Sequence, residues 1–102
     1  MVDELSNGEF ETFVKKGVCL VDFFAEWCMP CVMMAPVMEE ISEKLKKIKF
    51  GKVNVDENQE LAAKFKVMSI PTLIIFKDNK EIERLVGAQS EEVLEEKLKK
   101  YL

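Results

Sequence analysis

The stretch Val21-Asp22-Phe23-Phe24-Ala25-Glu26-Trp27-Cys28-Met29-Pro30-Cys31 decides how the rest of the chain is read. An apolar, β-prone run ends in a tryptophan and opens directly into two cysteines separated by two residues. The run that follows, Val32-Met33-Met34-Ala35-Pro36-Val37-Met38-Glu39-Glu40-Ile41, reads as a helix. The cysteines then fall in the first helical turn, at the carboxyl end of a strand. Side chains three residues apart on a helix have Cβ atoms about 5–6 Å apart. A slightly relaxed first turn brings such a pair within disulfide reach. The pair reads as a redox switch.

Chemistry explains the position. A thiolate, not a thiol, attacks a disulfide, and a helix start offers unpaired N–H groups and a positive dipole end that stabilise it. Cys28 is expected nearest those donors and nearest solvent, with Cys31 one turn in and more buried. That order makes Cys28 the attacking sulfur and Cys31 the one that resolves the mixed disulfide. Pro30 stiffens the turn and suits an early helical position that needs no N–H.

The 102 residues are read as one domain, 1–102, with 48% hydrophobic and 33% charged content typical of a globular chain. A net charge of −4 argues against nucleic acid as a partner. No segment approaches the roughly 18 uninterrupted apolar residues of a membrane span. The start, Met1-Val2-Asp3-Glu4-Leu5, is acidic and lacks a basic segment followed by an apolar one, so a cytoplasmic location is expected. Three cysteines are an odd number, which suits one reactive pair plus a spare thiol better than a disulfide-stapled secreted domain. Structural zinc wants four ligands. With no histidine, and only Cys19 beyond the pair, no metal and no bound cofactor are expected.

Taken in order, Met1 to Leu5 reads as a short edge strand. Ser6 and Glu9 form a capping box for a helix carrying Phe10, Phe13 and Val14, closed by Gly17 at C′. Val18 to Phe24 is a strand covered on both faces. The helix from about Cys28 to Lys46 presents Met34, Met38, Ile41, Leu45 and Ile48 on one stripe, with Pro36 expected to kink it. Phe50 to Val55 is a parallel partner strand, reached by a right-handed crossover. A short helix runs from Asp56 through Phe65. Thr72 to Phe76 and Glu81 to Val86 form a hairpin around Asp78-Asn79-Lys80. Ser90 caps a last helix with Val93, Leu94, Lys97, Leu98 and Tyr101 on one face. The sum is an α/β fold, a central mixed sheet of four or five strands with helices on both faces.

Val21 through Cys31, then Ala35-Pro36, Lys52-Val53-Asn54-Val55-Asp56, Ile70-Pro71-Thr72 and Val86-Gly87-Ala88, together resemble the thioredoxin family over essentially the whole chain. The resemblance implies the thioredoxin fold, with four flanking helices. It makes Cys28 the nucleophile and Cys31 the resolving thiol, with Asp22 beneath them relaying protons and Lys52 as its charged neighbour. Pro71 is implied to be cis and to face the disulfide. Trp27, Met29, Pro30, Ile70, Pro71, Val86, Gly87 and Ala88 would border a groove for an extended substrate segment. The implied partners are protein disulfide substrates and a separate flavin-dependent reductase, with the chain itself a monomer. Met29 departs from the family's usual glycine and adds a polarisable apolar side chain beside the attacking sulfur. Phe24 stands where tryptophan is common.

Each assignment has a plainer rival. Asp22 could be a hydrogen-bonded buried acid, Lys52 a solvated strand-end lysine, and Pro71 a trans proline at a strand start. Met33, Met34 and Met38 at helical spacing read as core, while Met29 and Met68 suit adaptable surface contacts. Cys19, inside an apolar strand, reads as an inert buried thiol. The function expected is reduction of protein disulfides. An oxidase or isomerase is the alternative within redox chemistry, and a redox-inert binding module the alternative outside it.

Overall fold

Five strands and four helices follow one another in the computed structural model, which describes residues 1–102: β1 (Val2–Glu4), α1 (Asn7–Val14), β2 (Val18–Phe24), α2 (Met29–Lys44), β3 (Lys49–Asn54), α3 (Gln59–Lys64), β4 (Thr72–Lys77), β5 (Lys80–Val86) and α4 (Glu91–Lys99). They build one mixed sheet in the order β1-β3-β2-β4-β5. β1 and β2 flank β3 in parallel, and β4 and β5 run antiparallel beyond β2. None of the helices is long and apolar enough to cross a membrane.

Strand alternation sorts the apolar residues to two faces. Leu20, Phe50, Leu73, Ile75 and Leu85 meet Met34, Met38 and Ile41 of α2 and Leu94 and Leu98 of α4. Cys19, Val21, Phe23, Val53, Ile74 and Phe76 meet Phe10 and Val14 of α1 and Leu61 of α3. On that second face Phe10 lies 5.5 Å from Phe76 edge-on, and Phe65 lies 5.4 Å from Phe76 in the same manner. By the same alternation Asp22, two residues after Leu20, points to the α2 side.

Local chemistry sets the boundaries. Glu9 reaches back to accept both the Ser6 amide and its hydroxyl at 2.9 Å, closing the start of α1. Ser90 Oγ accepts the Val93 amide at the start of α4. Asp78 and Asn79 both have positive φ, 48° and 74°, as a two-residue hairpin turn with the strands' twist requires. Ile82 is an extra residue in β5, since Ile75 pairs with Glu83 and Phe76 with Glu81. A bulge of this kind blunts an edge strand.

Several expectations shift. α2 ends at Lys44 rather than Lys46, with Pro36 inside it. Gly17, with φ of +82°, lies two residues past the Lys15 cap rather than one. Met33 is 69% exposed and does not share the core of Met34 and Met38, because adjacent helical positions do not face the same way. Val93 is likewise exposed, and only Leu94 and Leu98 of α4 are buried.

Gly51 of β3 marks a close approach. A Cβ there would stand 2.7 Å from Leu5 Cδ1 and 3.1 Å from Phe13 Cε2. Gly51→Ala is expected to lower stability by about 1–2 kcal/mol through overpacking, read as a lower urea midpoint at unchanged slope.

Candidate active site

β2 delivers its end to the sheet's centre, and the chain turns over Ala25, Glu26 and Trp27 into α2. Cys28 is the N-cap of that helix, with extended backbone (φ −90°, ψ 109°). Its sulfur accepts the Cys31 amide at 3.3 Å, one of the N–H groups a helix start leaves without an internal partner. Cys28 and Cys31 are joined as a disulfide, with Cα atoms 5.2 Å apart. So Cys28 lies just before the helix rather than in its first turn.

The two sulfurs do not differ in exposure as expected. Cys28 is 5% exposed and Cys31 4%, in a small cluster with Ala25 against which Phe24, Val55 and Ile70 pack. The difference lies in their surroundings. Cys28 Sγ sits 3.8 Å from the Ile70 carbonyl oxygen, while Cys31 borders a pocket of about 490 Å³ on the sheet side. The Ile70–Pro71 peptide bond is cis, and the Pro71 carbonyl accepts the Gly87 amide at 2.8 Å. That bond, with Gly87 at φ +93°, brings the end of β5 beside the disulfide loop. Trp27, Met29 and Val86 are strongly exposed around it, Pro30 and Ala88 also face solvent, Ile70 and Gly87 are half-buried, and Pro71 is buried.

Asp22 borders the same pocket as Cys31. It is 4% exposed, and its Oδ1 has no hydrogen-bond partner. A carboxylate out of water without donors resists ionisation. Burial pushes the Asp22 carboxyl up from 3.8 to about 7, with Lys52 opposing. Lys52 pairs in register with Asp22 on the neighbouring strand, yet its Nζ lies over the Phe24 ring, 5.3 Å from the centroid. It acts on Asp22 through its field and makes no salt bridge.

Cys19 lies on the opposite face of β2, fully buried. Burial raises its thiol to about 11, against the opposing pull of Lys49. That environment makes it a poor nucleophile.

The family model described as Thioredoxin matches residues 1–100. This chain belongs to the thioredoxin family. A thioredoxin from Chlamydia pneumoniae is 45% identical over 101 residues, 99% of each chain. One from Staphylococcus aureus is 48% identical over 100 residues, 97% of this chain and 96% of the relative. Among solved structures, a thioredoxin from Plasmodium falciparum superposes with a TM-score of 0.91 at 37% identity, covering 99% of this chain and 100% of the other. With its Cys28–Cys31 disulfide, this thioredoxin-family chain is a protein-disulfide oxidoreductase working by thiol–disulfide exchange.

Two neighbours of the site escape a reading of the sequence by residue type. Asp56 accepts the Trp27 indole N–H at 2.8 Å, fixing the exposed ring beside the disulfide. Its signal was its place just past β3, in the run that carries the family resemblance. Glu39 of α2 borders the Asp22 pocket, and nothing in its helical charge pattern distinguishes it from Glu40 or Glu43.

The Asp22 environment makes stability depend on pH. Its folded value lies above its unfolded one, so its favourable contribution is complete below pH 4 and is lost as pH rises through about 7. At about 1.4 kcal/mol per pH unit the full loss is about 4 kcal/mol. Asp22→Asn is therefore expected to gain up to about that much relative to the parent between pH 4 and pH 8. Urea unfolding of both oxidised proteins across that range tests it; a constant difference would mean that Asp22 ionises normally.

Proposed function

We propose that the chain is a thioredoxin-type protein disulfide reductase, with Cys28 as nucleophile, Cys31 as resolving thiol and Asp22 as proton acceptor. The observation that carries this reading is the sharing of one pocket by Cys31 and an unpartnered buried carboxyl, on the side of the disulfide away from Ile70.

In the reduced protein the Cys28 thiolate, held by the Cys31 N–H and the start of α2, attacks one sulfur of a substrate disulfide in line. The Cys28–substrate bond forms, and the substrate disulfide opens to release a first thiolate. Cys31 then gives its proton to Asp22 and attacks Cys28 Sγ. The second substrate thiolate leaves, and the Cys28–Cys31 disulfide remains. Two electrons have passed to the substrate, and the released thiolates take up two protons. A carboxyl that titrates near neutrality suits this transfer, because a base works best when its affinity for the proton matches the working pH. Lys52 tunes that affinity by its charge.

Trp27, Met29, Pro30, Ile70, Pro71, Val86, Gly87 and Ala88 form the surface on which an extended protein segment docks, and their exposed apolar groups support this. A separate flavin-dependent reductase returns the electrons, and the domain spanning 1–102 works as a cytoplasmic monomer without a bound cofactor. The oxidase alternative needs a strongly stabilised reduced thiolate. Met29 and Pro30 supply no cation between the cysteines, and the chain has no histidine.

Dithiothreitol-driven reduction of insulin tests the reading. The parent is expected to accelerate it, Cys28→Ser to leave only the uncatalysed rate, and Cys31→Ser to accumulate a mixed disulfide. Equal rates for parent and Cys28→Ser would leave only a scaffold. Equilibration with glutathione separates reductase from oxidase: a potential below about −220 mV supports the first, and one near −120 mV the second.

A further inference from the structure

One wall of the Asp22 pocket belongs to none of the thiol machinery. Val2 of β1 and Glu39 of α2 both border it, and the Val2 amide donates to Glu39 Oε1 at 2.8 Å. β1 is a three-residue edge strand whose only sheet partner is β3. The bond from Val2, together with those from the Met1 ammonium to Ser42 at 2.8 Å and Glu43 at 3.5 Å, ties that strand to the helix beneath which Asp22 lies. The Val2 side chain is half-buried against the α2 and α4 core.

The charged and titratable groups around the pocket come from three elements. Lys52 projects from β3, Cys31 and Glu39 from α2, and Glu26 from the turn before it. β1 contributes only the apolar Val2. Since Asp22 Oδ1 has no protein donor, water is the remaining group able to solvate its charge, and whatever limits water sets its affinity for the proton.

We propose that Glu39 is a positioning residue for proton transfer, clamping Val2 across the pocket and so keeping water from Asp22. Release of the clamp loosens Val2 within an edge strand still held through Met1, and closer approach of pocket water to Asp22 favours the ionised carboxyl. Asp22 then becomes a weaker base. Resolution by Cys31 begins at lower pH but levels off at a lower rate. This inference rests on the assignment of Asp22 as the base in the proposed reaction.

The test follows the carboxyl carbon of Asp22 by NMR titration of the oxidised protein, with no substrate present. Glu39→Ala removes the acceptor, and Val2→Pro removes the donor while keeping the charge of Glu39; proline is tolerated at the first residue of an edge strand. Both are expected to lower the Asp22 midpoint by about half a pH unit or more, about a three-fold change in proton affinity. Glu39→Gln keeps an acceptor oxygen and is expected to leave the midpoint near that of the parent. In single-turnover exchange, the resolving step of the first two variants should show the same downward shift and a lower plateau. An unchanged midpoint in folded Glu39→Ala and Val2→Pro overturns the proposal. So does a shift in Glu39→Gln as large as that in Glu39→Ala, since the cause would then be charge alone. Loss of insulin reduction by the parent would instead sink the reductase reading while leaving these titrations interpretable.

Discussion

The first N–H groups of α2 have no carbonyl one turn earlier to bond, and the residue before the helix must accept them or leave them to water. Cys28 fills that position with sulfur, where an oxygen of serine or aspartate is usual. The amide that completes the helix is thus also a donor to the disulfide sulfur of Cys28. Helix initiation and the placing of this sulfur draw on the same hydrogen bond, so the sulfur cannot be moved without moving the helix. The rest of the sheet serves this junction. β2 is central, with parallel pairing to β3 on one side and antiparallel pairing to β4 on the other, so the strand end that carries the junction is held from both sides.

Against that rigid junction stands a group that opposes folding. Asp22 occupies a core position of β2 without a hydrogen bond at Oδ1. The two layers divide the work. The α1/α3 side is almost wholly apolar, with Phe10 and Phe65 in ring contact with each other and each with Phe23 and Phe76. The α2/α4 side carries the acid, the lysine beside it and the pocket that opens to them. The buried carboxyl is offset by apolar packing on both faces, with twelve buried residues on its own side and ten on the other.

Much of this was legible in the residues themselves. The strand–turn–helix around Cys28 and Cys31, the hairpin at Asp78-Asn79, and the caps at Ser6 and Ser90 are local, and their signals lie within a few positions. The resemblance through Trp27-Cys28, Ile70-Pro71-Thr72 and Val86-Gly87-Ala88 identified which segments border the disulfide. What escaped depends on rotation or on distance along the chain. Met33 and Val93 follow from the angle of each helix to the sheet, which periodicity locates only to within a residue. The equal burial of the two cysteines depends on Val55 and Ile70, which reach them from distant segments. Asp56 against Trp27 and Glu39 against Val2 join residues 29 and 37 positions apart, and no pattern within either segment announces the other.

Cys19 carries one more consequence. A molecule whose work is trading sulfur bonds risks trading them with itself, since a third accessible thiol could capture its own disulfide or cross-link two copies. Here the spare sulfur is sealed between a β-sheet and a phenylalanine-rich layer, fully buried and 3.8 Å from a main-chain oxygen of Phe13. Reaching it requires opening the apolar half of the fold. The chain can therefore cycle repeatedly between its two redox forms without scrambling, and its third cysteine becomes a liability only once the protein has already come apart.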